Sequence, residues 1–173
     1  DEVLVPSPDY PLWTAAVSLN GGRAVHYPCH PANGFVPDIA EIEARITPRT
    51  RAIVVINPNN PTGAVYPRAL LAQIAELAAR QRLVVMADEI YDEVLYDDAE
   101  FVPMSTLATE TVCLTFSGLS KVHRACGWRV GWMSLSGFLK RAQDYRHARD
   151  LLAALRLCSN VTAQWTIQPA LFG

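Results

Sequence analysis

Short apolar runs alternate with longer stretches of helical spacing along these 173 residues, a pattern that predicts a layered α/β fold around a mostly parallel sheet. Residues 3–6 open the series as a strand. Residues 12–19 read as a helix stopped by Asn20-Gly21-Gly22, because glycine accepts the left-handed turn that ends helices. Residues 23–27 read as a strand and 28–37 as a loop. Asp38 then caps a helix that runs through residue 45 and ends before Thr47-Pro48.

The string Ala52-Ile53-Val54-Val55-Ile56 is apolar and β-branched throughout, so it is expected to be a strand buried on both faces. It runs into the turn-forming Asn57-Pro58-Asn59-Asn60-Pro61-Thr62-Gly63. Residues 68–82 place Leu70, Leu71, Ile74, Leu77 and Ala78 on one helical stripe. Residues 83–87, 112–116 and 130–135 read as three more buried strands, and 137–157 as one long amphipathic helix. Two strands finish in polar turns, at Asp88-Glu89 and at Ser117-Gly118-Leu119-Ser120-Lys121. In open α/β sheets, ligands sit beyond the carboxyl ends of strands, so these turns are where chemistry is expected.

Composition narrows the partners. With 15 Lys+Arg against 17 Asp+Glu the net charge is −2, which gives no electrostatic reason to expect nucleic acid or an anionic membrane. Charged or amide residues break every apolar stretch well short of the roughly 20 residues a bilayer requires. Four scattered cysteines with no CxxC pair predict free thiols and a cytoplasmic setting. His26 and His30 are four apart, but Pro28 between them forbids the helix that would align them, so no metal site is expected. The acidic residues between Asp92 and Glu100 read as a solvated face.

Three candidates carry chemistry, each with an ordinary alternative. Asp88 ends a buried strand, where a carboxylate requires a partner, although Asp88-Glu89 also suits a helix cap. Lys121 follows another strand through a turn of small residues. An amine at a desolvated sheet edge can lose its proton near neutral pH, as a Schiff-base nucleophile must; a solvated surface lysine is the alternative. Arg129, within Gly127-Trp128-Arg129-Val130-Gly131, suits a bidentate grip on phosphate or carboxylate, or an ordinary ion pair.

Taken together, the Asn57–Gly63 string, Asp88-Glu89-Ile90-Tyr91, Ser117–Lys121 and Gly127–Gly131 resemble, in order and spacing, the class I aminotransferases, which depend on pyridoxal 5′-phosphate (PLP). Within that family, Asp9-Tyr10-Pro11-Leu12-Trp13 and the Gly-Leu-Ser-Lys form of the lysine motif look closest to bacterial alanine aminotransferases that use glutamate and pyruvate. The resemblance implies a three-layer sandwich and PLP as cofactor, with Lys121 holding it as a Schiff base and then shuttling the substrate proton. Asp88 would pair with the pyridine nitrogen. Tyr91 and Asn60 would reach the phenolic oxygen, with Asn60 also touching the substrate carboxylate, and Tyr10 would stack on the ring. Arg129 would bind the phosphate together with a serine. The commoner pattern has serine where this chain has Gly118, which leaves Ser117 and Ser120, of which Ser120 is favoured.

By the same resemblance, residues 1–173 are expected to be the central part of the PLP-binding large domain. An N-terminal segment with its glycine-rich phosphate loop and a small C-terminal domain with its substrate-clamping arginine would be absent. The natural protein would be a homodimer acting on amino acids and 2-oxo acids, and the piece alone would turn over little. Two other readings share the scaffold: a PLP-dependent carbon-sulfur lyase, and a non-catalytic PLP-binding effector domain of a transcription regulator.

Overall fold

In a computed structural model of the chain, residues 1–137 are described; the helix expected over 137–157 lies, apart from Gly137, outside them. Among the described residues six strands form one sheet: β1 (Glu2–Ser7), β2 (Arg23–Pro28), β3 (Thr50–Ile56), β4 (Val84–Asp88), β5 (Cys113–Gly118) and β6 (Gly131–Ser136). Their spatial order is β2-β1-β3-β4-β5-β6. The first five are parallel, and β6 returns antiparallel to β5. Three helices connect them: α1 (Pro11–Leu19), α2 (Ile39–Glu43) and α3 (Arg68–Gln81).

The period-two alternation of the strands feeds two unequal cores. Leu4, Ile53, Val55, Val85 and Ala87 face α2 and α3, where Ile42, Leu71, Ile74 and Leu77 close a large core. Val5, Val54 and Ile56 face the other way, against Trp13 of α1 and Met86. The stripe expected on residues 68–82 is the buried face of α3, and the helix ends with Arg82 in the left-handed region at φ 57°. Asp38 caps α2 by accepting the Ala40 N–H at 2.8 Å. That helix is shorter than expected, because its last turn tightens: Arg45 and Ile46 donate to Ile42 and Glu43, three residues back, ahead of Pro48.

One strand differs from expectation. Residues 130–135 read as buried, yet Gly131, Trp132 and Ser134 of β6 are exposed. Among the described residues β6 has a neighbour on one side only, and its sequence alternates Trp132, Ser134 and Ser136 with Met133 and Leu135, the signature of one covered face. No helix follows Asp88-Glu89 either. Asp92 and Val94 donate to the carbonyls of Glu89 and Tyr91, closing two successive turns.

The two ends of the sheet serve different purposes. At the amino ends of the strands, buried Glu2 accepts from Thr47 Oγ1 at 2.6 Å and pairs with Arg23 and Arg49, each at 2.8 Å, tying β1 to its neighbours. The carboxyl ends open onto a cleft.

Candidate active site

Parallel pairing aligns Ile56 of β3, Asp88 of β4 and Phe116 of β5 in one row at the carboxyl edge of the sheet. Beyond that row lies a cleft of about 620 Å³, within the usual size range of small-molecule sites. The turn after β3 brings Asn60 to it, and the turn after β4 brings Tyr91. The connection after β5 brings Ser117, Ser120, Lys121 and Arg129, and the entry to α1 brings Tyr10. All seven positions singled out from the sequence therefore border the same cleft, as does the alternative serine.

Asp88 lies on the α1 side of β4, two residues from Met86. Its Oδ2 accepts the indole N–H of Trp13 at 2.9 Å, and its Oδ1 lies 3.4 Å from the Ile90 N–H. Burial raises the carboxyl above the usual carboxylate range, and these two donors oppose the rise. The next residue, Glu89, faces away from the cleft and is 6 % exposed. Its Oε1 accepts the Met104 N–H at 2.7 Å, and burial pushes it up to about 7.

Lys121 departs from the desolvated amine expected from the sequence: it is exposed. It stands past the last residue of β5, on a connection stitched by Leu119 N–H to Val130 O and Ala125 N–H to Leu119 O, with no helix laid across it among the described residues. Its Nζ lies 5.6 Å from the centroid of the Tyr91 ring, a cation-π distance. Arg129 ends a short 3-10 turn, Cys126–Trp128, with φ 53°. A bulky side chain in the left-handed region is uncommon and stores strain, a state that clusters at functional sites. Its Nη1 donates to Cys126 O at 3.1 Å.

Gly118 stands at a close approach of two strands. It is buried and pairs with Gly131, and a Cβ added there would lie 2.7 Å from Val130 O. A serine here would force the backbone of β5 or β6 to shift, and the nearby hydroxyls are those of Ser117 and Ser120.

The family model for aminotransferase class I and II matches residues 1–166. This chain belongs to that family. It is 56 % identical over all 173 residues to the glutamate-pyruvate aminotransferase AlaA of Escherichia coli K12, spanning 43 % of that protein. It is 53 % identical to the alanine aminotransferase of Mycobacterium tuberculosis H37Rv, again over its whole length and 40 % of the relative. A crystal structure of an aminotransferase from Escherichia coli superposes with a TM-score of 0.84 at 56 % identity, covering all of this chain and 43 % of that one. The chain thus spans about two fifths of the length of these relatives.

Sequence reasoning gives no role to two aromatic residues of the cleft. In the sequence Trp13 is one residue of a motif and Phe116 one residue of a strand, yet their rings meet edge-on at 5.5 Å beside Asp88. The only signal for Trp13 was an aromatic on the inner face of α1. His26 and His30 make separate contacts, to Thr14 at 3.0 Å and Glu41 at 3.2 Å. Cys29, Cys113 and Cys126 are free thiols. Among the described residues, no helix is long and apolar enough to cross a membrane.

Proposed function

We propose that the cleft is the PLP site of an aminotransferase that moves an amino group between a small, alanine-like L-amino acid and a 2-oxo acid such as 2-oxoglutarate or pyruvate. The carrying observation is the convergence of an acid, an amine, a guanidinium and several hydroxyls on one cleft bordered by aromatic rings. That donor set fits PLP, which bears a basic ring nitrogen, an aldehyde, a phenolic oxygen and a phosphate on a flat heterocycle.

Bound there, PLP supplies an electron sink for the pair left when a substrate loses its Cα proton. Each residue then has a distinct task. Asp88 offers an anion to the ring nitrogen, keeping that nitrogen protonated. Raising its basicity by about two pKa units takes roughly 3 kcal/mol, more than the ~0.2–1 kcal/mol of an exposed ion pair, so the acid must be shielded from water. Asp88 is shielded by the α1 side of the sheet. Lys121 provides the tethering amine and, once free, carries the proton from Cα. Tyr91 and Asn60 donate to the phenolic oxygen, Asn60 also meets the substrate carboxylate, and Tyr10 covers a ring face. Arg129 and Ser120 hold the phosphate.

On this reading residues 1–173 are the central part of the large domain of a longer, cytoplasmic, homodimeric enzyme. The test is a coupled assay of the full-length protein with L-alanine and 2-oxoglutarate. Stoichiometric pyruvate and glutamate support the proposal. Pyruvate, ammonia and a thiol released from cysteine conjugates without an oxo acid, and no pyruvate from alanine, would replace it with a carbon-sulfur lyase.

A further inference from the structure

Asp88 is reached from an unexpected direction. Trp13 lies 75 residues earlier in the chain, on α1, yet its indole N–H meets Asp88 Oδ2 at 2.9 Å. Indole nitrogen only donates, and a donor bonds an ionised carboxylate more strongly than a neutral acid. Phe116, beside Asp88 in the neighbouring strand, sets its ring at 73° to the indole, and Val5, Val54 and Ile56 pack on the same side. The indole therefore cannot swing away without losing apolar contact. The other carboxylate oxygen, with its single long contact to Ile90 at 3.4 Å, keeps spare acceptor capacity.

We propose, resting on the PLP reading above, that Trp13 is a positioning residue: its N–H fixes one oxygen of Asp88 so that the carboxylate presents its other oxygen, as an anion, to a cationic ring nitrogen in the cleft. Trp13 itself acts only through Asp88. The other titratable groups around the cleft are Tyr10, Tyr91, Lys121, Cys126 and Arg129, and Glu89 behind the strand is engaged with Met104. Substitutions at position 13 leave all of these in place.

The test uses the full-length protein, with the PLP dissociation constant measured at about pH 6 and about pH 8, on either side of neutral, for wild type, Trp13→Phe and Trp13→His. Phenylalanine keeps an aromatic ring and removes the donor; histidine keeps a ring N–H. Losing a hydrogen bond to a charged group weakens PLP binding by about tenfold or more in Trp13→Phe, and the loss relative to wild type is larger at the lower pH, where Asp88 protonates more readily. Trp13→His recovers most of the affinity. Wild-type affinity and pH dependence in Trp13→Phe overturn the inference, and so does a Trp13→His protein as weak as Trp13→Phe, since packing alone would then explain both. A wild-type protein that takes up no PLP overturns the cofactor reading instead.

Discussion

Asp88 and Lys121 border one cleft from adjacent parallel strands: Asp88 ends β4 in register with Phe116 of β5, and Lys121 follows Phe116 by five residues. An acid carried by one strand and an amine carried by its neighbour are thereby set at the same carboxyl edge, shielded on the acid's side and open on the amine's. On the proposed reading, a charged heterocycle is held between them.

Asp88→Asn keeps the shape of the side chain and removes its charge. The roughly 3 kcal/mol asked of that charge corresponds to about a hundredfold loss in transamination rate by the full-length protein. A steady-state rate close to wild type in this variant contradicts the assigned role.

The two cleft serines are separable by PLP affinity. Ser120→Ala is expected to weaken binding about tenfold, the worth of one hydrogen bond to a charged phosphate, and Ser117→Ala to weaken it less. Equilibrium binding of PLP to the two variants measures the difference, and the reverse ranking moves the phosphate contact to Ser117.

Gly118→Ser tests the close pairing of β5 with β6. Because a Cβ there meets the Val130 carbonyl at 2.7 Å and Gly131 Cα at 3.1 Å, the strands must part or bend. A loss of about 1–3 kcal/mol is expected, read from the urea midpoint of the full-length protein. Unchanged stability would mean that the edge strand yields freely.

Glu89 makes stability depend on pH. Burial raises its folded-state value from 4.5 to about 7, so between those values the folded protein binds more protons than the unfolded chain. Stability then falls as pH rises through this window, by up to about 3 kcal/mol. Glu89→Gln keeps an acceptor for the Met104 N–H and cannot ionise. It should therefore be more stable than wild type at pH above 7 and nearly equal to it below 4.5, flattening the profile. Parallel profiles for the two proteins would show that Glu89 does not titrate in this range.

The strands were legible in sequence because burial on both faces leaves a run such as Ala52–Ile56 no other role, and the cleft was legible because its motifs fall where such runs stop. Three features were not. The edge position of β6 among the described residues follows from which strand lacks a neighbour there, which local pattern does not state. The exposure of Lys121 depends on what lies over its connection, which spacing to β5 does not give. The bond from Trp13 to Asp88 joins positions that only the crossing of α1 over the sheet brings together.

The central claim is that Lys121 tethers PLP in the cleft, and the visible absorption spectrum of the full-length protein with PLP tests it most directly. Wild type is expected to show a band that shifts when L-alanine is added, and Lys121→Ala to lack that band. A Lys121→Ala protein with the wild-type spectrum would contradict the account.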